Sequence, residues 1–165
     1  MSMITAFLKE LEQESLVTRK MLSLIPDDKF DWQPHPRSMS FRQLGTHIAE
    51  LPTWITLGLS TDELDFVKTP YQPKQINNTA ELVAYFEETL ADGRTQLIPE
   101  NEEKLAESWK LRAGDQIYMD VSKAEAIRNA LSQTIHHRAQ LGVFLRLMDI
   151  PIPGSYGPSA DETNF

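Results

Sequence analysis

The amino-acid sequence predicts an all-α protein, an antiparallel four-helix bundle with a long crossover between the second and third helices. Apolar residues recur every three or four positions along four separate segments, which is the spacing of one buried helix face. Two of these segments begin with a capping residue followed by glutamate three positions later, at Asn78 and at Ser122. Two short loops and one long connection join the segments, an arrangement typical of helical bundles whose sites form between facing helices.

The first half of the chain contains two of the predicted helices. The first is predicted over residues 3–24 and ends before Pro26. The second is predicted over residues 40–59 and contains Pro52. A proline inside a helix removes one backbone hydrogen bond and clashes with the preceding turn. A kink is therefore expected about one turn beyond His47.

The second half contains the other two helices and two irregular stretches. Residues 60–77 are predicted to be the crossover, because prolines interrupt any regular structure there. The third helix is predicted over residues 79–98 and the last over residues 122–148. Residues 101–120 alternate around a glycine, which predicts either a short hairpin or an irregular turn. The tail, residues 149–165, is rich in proline and glycine and either drapes over the bundle or stays disordered.

Composition limits the classes of function. The chain of 165 residues is expected to form one domain, residues 1–165, and it carries 16 basic and 24 acidic residues, a net charge of −8. Such a surface repels phosphate backbones, so no nucleic-acid partner is predicted. The absence of cysteine excludes a cysteine nucleophile and a thiolate metal site. No apolar run reaches the ~20 residues that cross a bilayer, and the first residues lack a signal peptide's charge pattern. A cytoplasmic protein without membrane association is expected.

The last predicted helix concentrates polar side chains that can bind metal or donate hydrogen bonds, namely Gln133, His136, His137 and Gln140. A helix advances about 100° per residue, so Gln133 and His137 share one face whereas His136 points to one side. His137 also falls on the apolar face. A buried imidazole needs a partner for its ring nitrogens, and a metal ion is one such partner.

His47 lies beside the apolar face of the second helix, near its middle. Either histidine alone is more often a satisfied core residue than a ligand, but two of them on facing helices favour a shared metal or ligand site. Gln43, one turn earlier, is a candidate to orient the His47 ring. Glu50 is either a catalytic base or a residue on a solvated helix face. Arg138 is expected to pair with an acid on a neighbouring helix or to hold the tail.

Three segments carry a resemblance to a known family. Residues 44–48 (LGTHI), residues 135–141 (IHHRAQL) and the proline-rich tail at residues 151–162 resemble the DinB/YfiT-like superfamily, and the likeness extends over nearly the whole chain. Proteins of this type are antiparallel four-helix bundles, usually dimers, that hold a divalent metal through three histidines. The resemblance therefore implies a homodimer, an ordered tail and a bound zinc or nickel ion.

The same resemblance implies that His47, Gln133 and His137 are the metal ligands. Gln133 stands where the family has a histidine, and an amide oxygen is a poorer ligand for zinc or nickel than an imidazole. We therefore expect a weakly bound metal.

The resemblance also implies a metal-dependent enzyme that acts on a small molecule, with thiol-dependent transferase or isomerase chemistry. Because the chain has no cysteine, the thiol would be an external low-molecular-weight partner. Two alternatives remain open at this point. One is a metal-dependent hydrolase that activates water. The other is a non-catalytic, ligand-binding or dimeric bundle whose metal site has degenerated.

Overall fold

The computed structural model describes residues 2–163 of the protein. These residues form five α-helices, three β-strands and three short 3-10 helices. The α-helices are α1 (Met3–Leu22), α2 (Phe41–Glu50), α3 (Thr53–Ser60), α4 (Thr79–Gln96) and α5 (Lys123–Leu147). The strands are β1 (Glu63–Asp65), β2 (Ser108–Ala113) and β3 (Gln116–Ser122), and the 3-10 helices are Asp27–Lys29, Pro99–Asn101 and Glu103–Ala106. Over this part of the chain, no helix is both long enough and apolar enough to span a membrane.

The prediction of an all-α four-helix bundle is wrong, because the chain also forms a three-stranded mixed sheet of order β1-β2-β3. β2 and β3 make an antiparallel hairpin, and Gly114 in its turn has a φ of 57°, which glycine adopts without strain. Of the two alternatives for residues 101–120, the hairpin is present. β1 pairs in parallel with β2, so the crossover also contributes to the sheet. A three-residue strand is too short to show an alternating pattern in the sequence.

Two contacts attach the sheet to the helices and to the crossover. Trp109 of β2 is fully buried, and its indole Nε1 donates to Thr61 Oγ1 at 3.1 Å. Arg112 of β2 donates to the Glu63 carboxylate of β1 at 2.7 and 2.8 Å, and the Arg112 guanidinium holds the pKa of that carboxyl near 2. The sheet thereby fixes the beginning of the crossover.

The helix start signals predicted at Asn78 and Ser122 are confirmed. Ser122 caps α5 in a full capping box, and Ser40, which the sequence analysis did not single out as a cap, does the same for α2. The Asn78 side chain accepts from the Glu81 backbone at the start of α4. The helices pack around one apolar core, in which each contributes fully buried side chains, among them Leu22 of α1, Phe41 of α2, Leu82 of α4 and Leu141 of α5.

The second predicted helix is broken rather than kinked. α2 ends at Glu50 and α3 begins at Thr53, so the interruption falls at Leu51 and Pro52. The position of this break agrees with the expectation from the proline. Gly93 of α4 packs directly against it, since a Cβ on Gly93 would lie only 2.8 Å from the Pro52 carbonyl oxygen. The end of α2, which carries the candidate site, is therefore seated against α4.

The tail lies along α1 and α5 and is tied to both. Arg138 of α5 pairs with Glu14 of α1, with 2.6 Å between Nη1 and Oε2, and both side chains are buried. The Tyr156 hydroxyl donates to Glu14 Oε1 at 2.7 Å, and Arg138 Nη2 donates to Ser155 Oγ at 3.1 Å. Burial and the hydrogen bond to Glu14 raise the pKa of Tyr156 to about 12. Arg138 thus fulfils both expected roles, pairing with an acid and holding the tail.

Candidate metal centre

α2 presents His47 one turn before its end, and the next turn supplies a buried carboxylate. His47 Nδ1 lies 2.7 Å from Glu50 Oε1. The Glu50 carboxylate also accepts from the Tyr71 hydroxyl, at 2.8 and 2.9 Å to its two oxygens. Burial and the hydrogen bond to Glu50 raise the pKa of Tyr71 above its ordinary value. Glu50 is therefore buried behind the histidine and does not lie on a solvated face.

α5 brings Gln133 and His137 to the same place from the opposite side. Gln133 Oε1 lies 3.3 Å from His47 Nε2. The His137 ring meets the His47 ring edge-on, with 4.6 Å between centroids. The structure thus brings together the three side chains that the sequence analysis singled out. His136 is exposed and lies at the rim, with its ring centroid 4.8 Å from that of His137.

Side chains on α5 orient the other two candidate ligands. Gln133 Nε2 donates to Asn129 Oδ1 at 2.8 Å, which turns the Gln133 carbonyl oxygen toward His47. His137 Nδ1 lies 2.9 Å from Gln140 Oε1 and donates to it, so His137 Nε2 carries the free lone pair. Burial, together with repulsion from the neighbouring histidines, holds the pKa of His137 below its ordinary value despite the Gln140 hydrogen bond. The neutral imidazole, the form that binds metals, is therefore favoured.

In the neutral form of His47, two hydrogen-bond acceptors face each other. An ionised carboxylate only accepts, so Glu50 requires the His47 proton to sit on Nδ1. Nε2 of the neutral ring then carries a lone pair that faces the lone pairs of Gln133 Oε1, 3.3 Å away. Either a second proton on the ring or a cation shared by the two atoms relieves this repulsion. A carboxylate behind a histidine is also the usual support of a metal-bound imidazole.

The donor set fits a divalent cation only with the amide included. Within residues 2–163, no three histidine, cysteine, aspartate or glutamate side chains are grouped so as to hold a metal ion. His47 Nε2 and the Gln133 oxygen lie 3.3 Å apart, and the His137 ring packs edge-on against the His47 ring beside them. Their role as metal ligands stays a prediction.

A cleft of about 760 Å³ opens beside His47 and Glu50. α2 forms one wall, while Trp54 of α3 and crossover residues, including Phe66 and Tyr71, line other parts of the cleft. Its volume lies within the range of small-molecule sites. The cleft therefore gives a small ligand access to His47 and Glu50, whereas Gln133 and His137 are not among its lining residues.

Three residues near the centre have roles that differ from the sequence interpretation or were missed by it. Gln43 does not orient His47; its side chain accepts from the Ser40 backbone at 2.9 Å and completes the cap of α2. Glu50 takes the orienting role instead, and its spacing of three residues from His47 was the available signal. Tyr71 was missed, because the crossover has no periodic pattern that would place its hydroxyl against Glu50.

Comparisons with solved structures find the same fold elsewhere. A DinB-like protein from Bacillus subtilis superposes with a TM-score of 0.68 at 19% identity, covering 97% of this chain and 99% of that one. A protein assigned to the DinB family from Exiguobacterium sibiricum gives 0.66 at 18% identity, covering 93% and 97%. A DinB-like protein from Bacillus cereus gives 0.65 at 16% identity, covering 90% and 94%. At these identities the likeness concerns the fold alone.

Sequence comparison is more specific about the family. None of the curated proteins compared with this chain matches it. The family model described as DinB family matches residues 1–164, which agrees with the resemblance seen in the histidine segments and the tail. Because this match spans nearly the whole sequence, the chain belongs to the DinB family.

Proposed function

We propose that this protein is a divalent-metal-dependent enzyme that acts on a small molecule, with His47, Gln133 and His137 as the metal ligands. The observation that carries the proposal is the approach of two acceptors, His47 Nε2 and Gln133 Oε1, at 3.3 Å. With the His47 proton on Nδ1, a positive charge between these two atoms would remove the repulsion between their lone pairs. Zinc or nickel at that position supplies it.

The surrounding residues hold the ligands in the form that binds a metal. Glu50 keeps the proton of His47 on Nδ1, and Tyr71 keeps Glu50 in place by donating to both of its oxygens. Asn129 fixes the Gln133 amide in the orientation that presents oxygen. Since such supporting groups change metal affinity by about 10–100-fold when altered, they are part of the proposed centre.

The proposed chemistry is activation of a small nucleophile beside the cleft. A divalent metal, when bound, lowers the pKa of a coordinated thiol or water and so makes it a better nucleophile. The chain contains no cysteine, so a thiol must enter as a low-molecular-weight cosubstrate. A cleft of about 760 Å³ has room for such a thiol beside a small acceptor molecule. Thiol-dependent transfer or isomerisation is the reaction class that we infer.

Titration calorimetry with zinc and nickel tests the metal site. Wild type should bind weakly, and Gln133→His should bind about tenfold tighter or more, because it places two imidazoles one helical turn apart. His137→Ala should lose binding. His35→Ala is the control, since this histidine lies in an exposed loop outside the proposed ligand set, and it should bind as wild type does.

Two results would count against this centre. Equal affinity in wild type and His137→Ala would place any bound metal elsewhere. No measurable affinity in any variant, Gln133→His included, would favour a non-catalytic protein.

The thiol is tested separately on protein loaded with cobalt. Addition of free cysteine should produce a sulfur-to-cobalt charge-transfer band, and His137→Ala should show none. If the cobalt-loaded wild type gives no such band, thiol chemistry is excluded and metal-dependent hydrolysis becomes the better interpretation.

A further inference from the structure

The cleft beside His47 is unusual for its charge. Among its lining side chains are three cations, Arg37, Arg42 and Lys74, and one carboxylate, Glu50. The chain as a whole carries a net charge of −8, so this wall is opposite in sign to the rest of the surface. Glu50 is already engaged by a histidine and a tyrosine hydroxyl. The electrostatic character of the cleft is therefore cationic at the end where α2 begins.

Arg42 is fixed in position without a ligand. Its Nε donates to Asp31 Oδ1 at 2.9 Å, its Nη1 donates to the Ile76 carbonyl oxygen, and its guanidinium lies 5.3 Å from the centroid of the Phe30 ring. Within residues 2–163, Nη2 has no hydrogen-bond partner. A guanidinium that is already immobilised loses little conformational entropy when it receives an anion.

The other two cations differ from each other. Lys74 Nζ lies 2.9 Å from Glu88 Oε2 and 4.3 Å from the centroid of the Tyr85 ring, so one of its three N–H groups is already used. The Arg37 side chain, in contrast, has no hydrogen-bond partner in the described part of the chain, and it is exposed. The planar donor groups that suit a carboxylate belong to the two arginines.

Arg42 and His47 line the same cleft at different points along α2. They are five residues apart, which corresponds to about 7.5 Å along the helix axis and about 140° around it. The apolar side chains of Met39, Trp54 and Phe66 line the same cleft. A ligand that contacts the arginines, the apolar side chains and His47 would have an anionic group at one end, an apolar middle and a reactive group at the other end.

We propose that the cleft binds an organic monocarboxylate, with the carboxylate on Arg42 and Arg37 and an apolar body that points toward His47. This inference deepens the proposed function and rests on it for the reaction at the far end of the ligand. The carboxylate subsite itself uses none of the proposed metal ligands.

The test uses 4-phenylbutanoate and its neutral counterpart 4-phenylbutanamide, titrated by NMR into protein that has been freed of metal and desalted. The carboxylate should bind about tenfold tighter or more than the amide, because a charge-assisted hydrogen bond separates them. Arg42→Gln should remove most of this ratio and leave amide binding unchanged. Lys74→Gln is the matched control, since it removes one positive charge from the same cleft at a side chain that is already paired.

Arg42 also holds Asp31 and the Ile76 carbonyl group, so a second variant separates binding from folding. Arg37→Gln changes an exposed side chain without a partner, and it should lower the carboxylate-to-amide ratio several-fold with an unchanged melting temperature. Equal binding of the two probes would overturn the proposal. An equal loss in Lys74→Gln and in the two arginine variants would also overturn it, since nonspecific charge would then explain the preference.

The metal proposal and this one fail separately. His137→Ala should keep the full preference for the carboxylate, because that residue lies outside the carboxylate subsite. If zinc titration fails but the preference persists, only the metal centre is refuted. If wild type prefers the carboxylate only after metal is added, the anion sits on the metal and the arginine subsite is refuted.

Discussion

Two polar clusters form around adjacent residues of α5, Arg138 and His137, and they differ in how their hydrogen bonds are satisfied. Arg138 faces α1 and the tail, where donors meet acceptors: its guanidinium contacts the Glu14 carboxylate, the Thr18 hydroxyl and the Ser155 hydroxyl. His137 faces α2, where His47 Nε2 and Gln133 Oε1 lie 3.3 Å apart and need either a second proton on the His47 ring or a cation between them. The hydrogen bonds of the first cluster are satisfied by its own side chains, whereas the second cluster is the candidate metal centre.

Burial follows the same division. The Arg138 and Glu14 side chains are 4% and 9% exposed, whereas that of His47 is 21% exposed. Within residues 2–163, the one buried side-chain oxygen or nitrogen without a hydrogen-bond partner is Thr46 Oγ1, next to His47. Native proteins leave few buried polar groups unpaired. We therefore expect the Arg138 side of α5 to contribute stability, whereas the His137 side carries the proposed metal ligands.

The largest expected effect comes from breaking the complete cluster. Arg138→Met leaves the Glu14 carboxylate buried without its cation, and the free energy of unfolding should fall by about 3–5 kcal/mol. Urea denaturation measures it. His137→Met, one residue away on the same helix, is the control and should cost less than about 1 kcal/mol. Similar losses in both variants would show that the two faces of α5 do not differ in this way.

A double variant sharpens the first prediction. Glu14→Leu combined with Arg138→Met removes both charges from the buried site, and it should recover part of the stability that Arg138→Met alone loses. A double variant as unstable as the sum of the single ones would mean that packing, rather than the unpaired charge, determines the loss.

Local sequence patterns predicted the helix starts, whereas the pairing of strands far apart along the chain could not be predicted. Caps at Asn78 and Ser122 are encoded in four consecutive residues each, so these two helix starts could be predicted from the sequence. The hairpin of β2 and β3 is also local, and it was one of the two alternatives predicted for residues 101–120. The pairing of β1 with β2 joins residues 63–65 to residues 110–112, far apart along the chain, and no local pattern encodes it. The all-α prediction was wrong because the hairpin and this distant strand together form a sheet.

The candidate site shows the same limit. His47, Gln133 and His137 were singled out by helical spacing and by family likeness, and the structure brings them together. Tyr71 was not, because it lies in the crossover, where no periodicity relates it to Glu50. Side chains on helices are placed by spacing, whereas side chains on irregular segments are placed by contacts that only the folded structure shows.

Gly93→Ala tests whether the break after α2 positions the histidine cluster. The new Cβ would lie 2.8 Å from the Pro52 carbonyl oxygen, so α4 or the break must shift, at a cost of about 1–3 kcal/mol of unfolding free energy. Zinc affinity should fall as well, because Glu50 immediately precedes the break. Gly58→Ala is the control: its nearest contacts are 3.8 and 3.9 Å away, and it should leave stability equal or higher. Equal zinc affinity in Gly93→Ala would disconnect the break from the centre.

Glu50→Gln probes the support behind His47 directly. The amide is nearly the same size, but it no longer requires the His47 proton on Nδ1, so zinc affinity by calorimetry should fall about 10–100-fold. Tyr71→Phe, which removes only the donor to Glu50, should have a smaller effect in the same direction. Glu103→Gln, at an exposed carboxylate, is the control and should bind zinc as wild type does. Unchanged affinity in Glu50→Gln would remove this carboxylate from the proposed centre.

The smallest expected effect is a dependence of stability on pH in the metal-free protein. Burial lowers the pKa of His137 from its ordinary value of 6.5, so in acid the unfolded chain binds a proton that the folded protein does not. This destabilising effect is absent above about pH 6.5, where the ring is neutral in both states. The free energy of unfolding then decreases as the pH falls from there through the lowered pKa of His137. Between about pH 8 and about pH 5, His137→Gln should therefore lose less unfolding free energy than wild type. If His137→Gln shows the same dependence on pH as wild type, the ring is as well solvated when folded as when unfolded, and the folded protein does not favour the neutral imidazole that binds a metal.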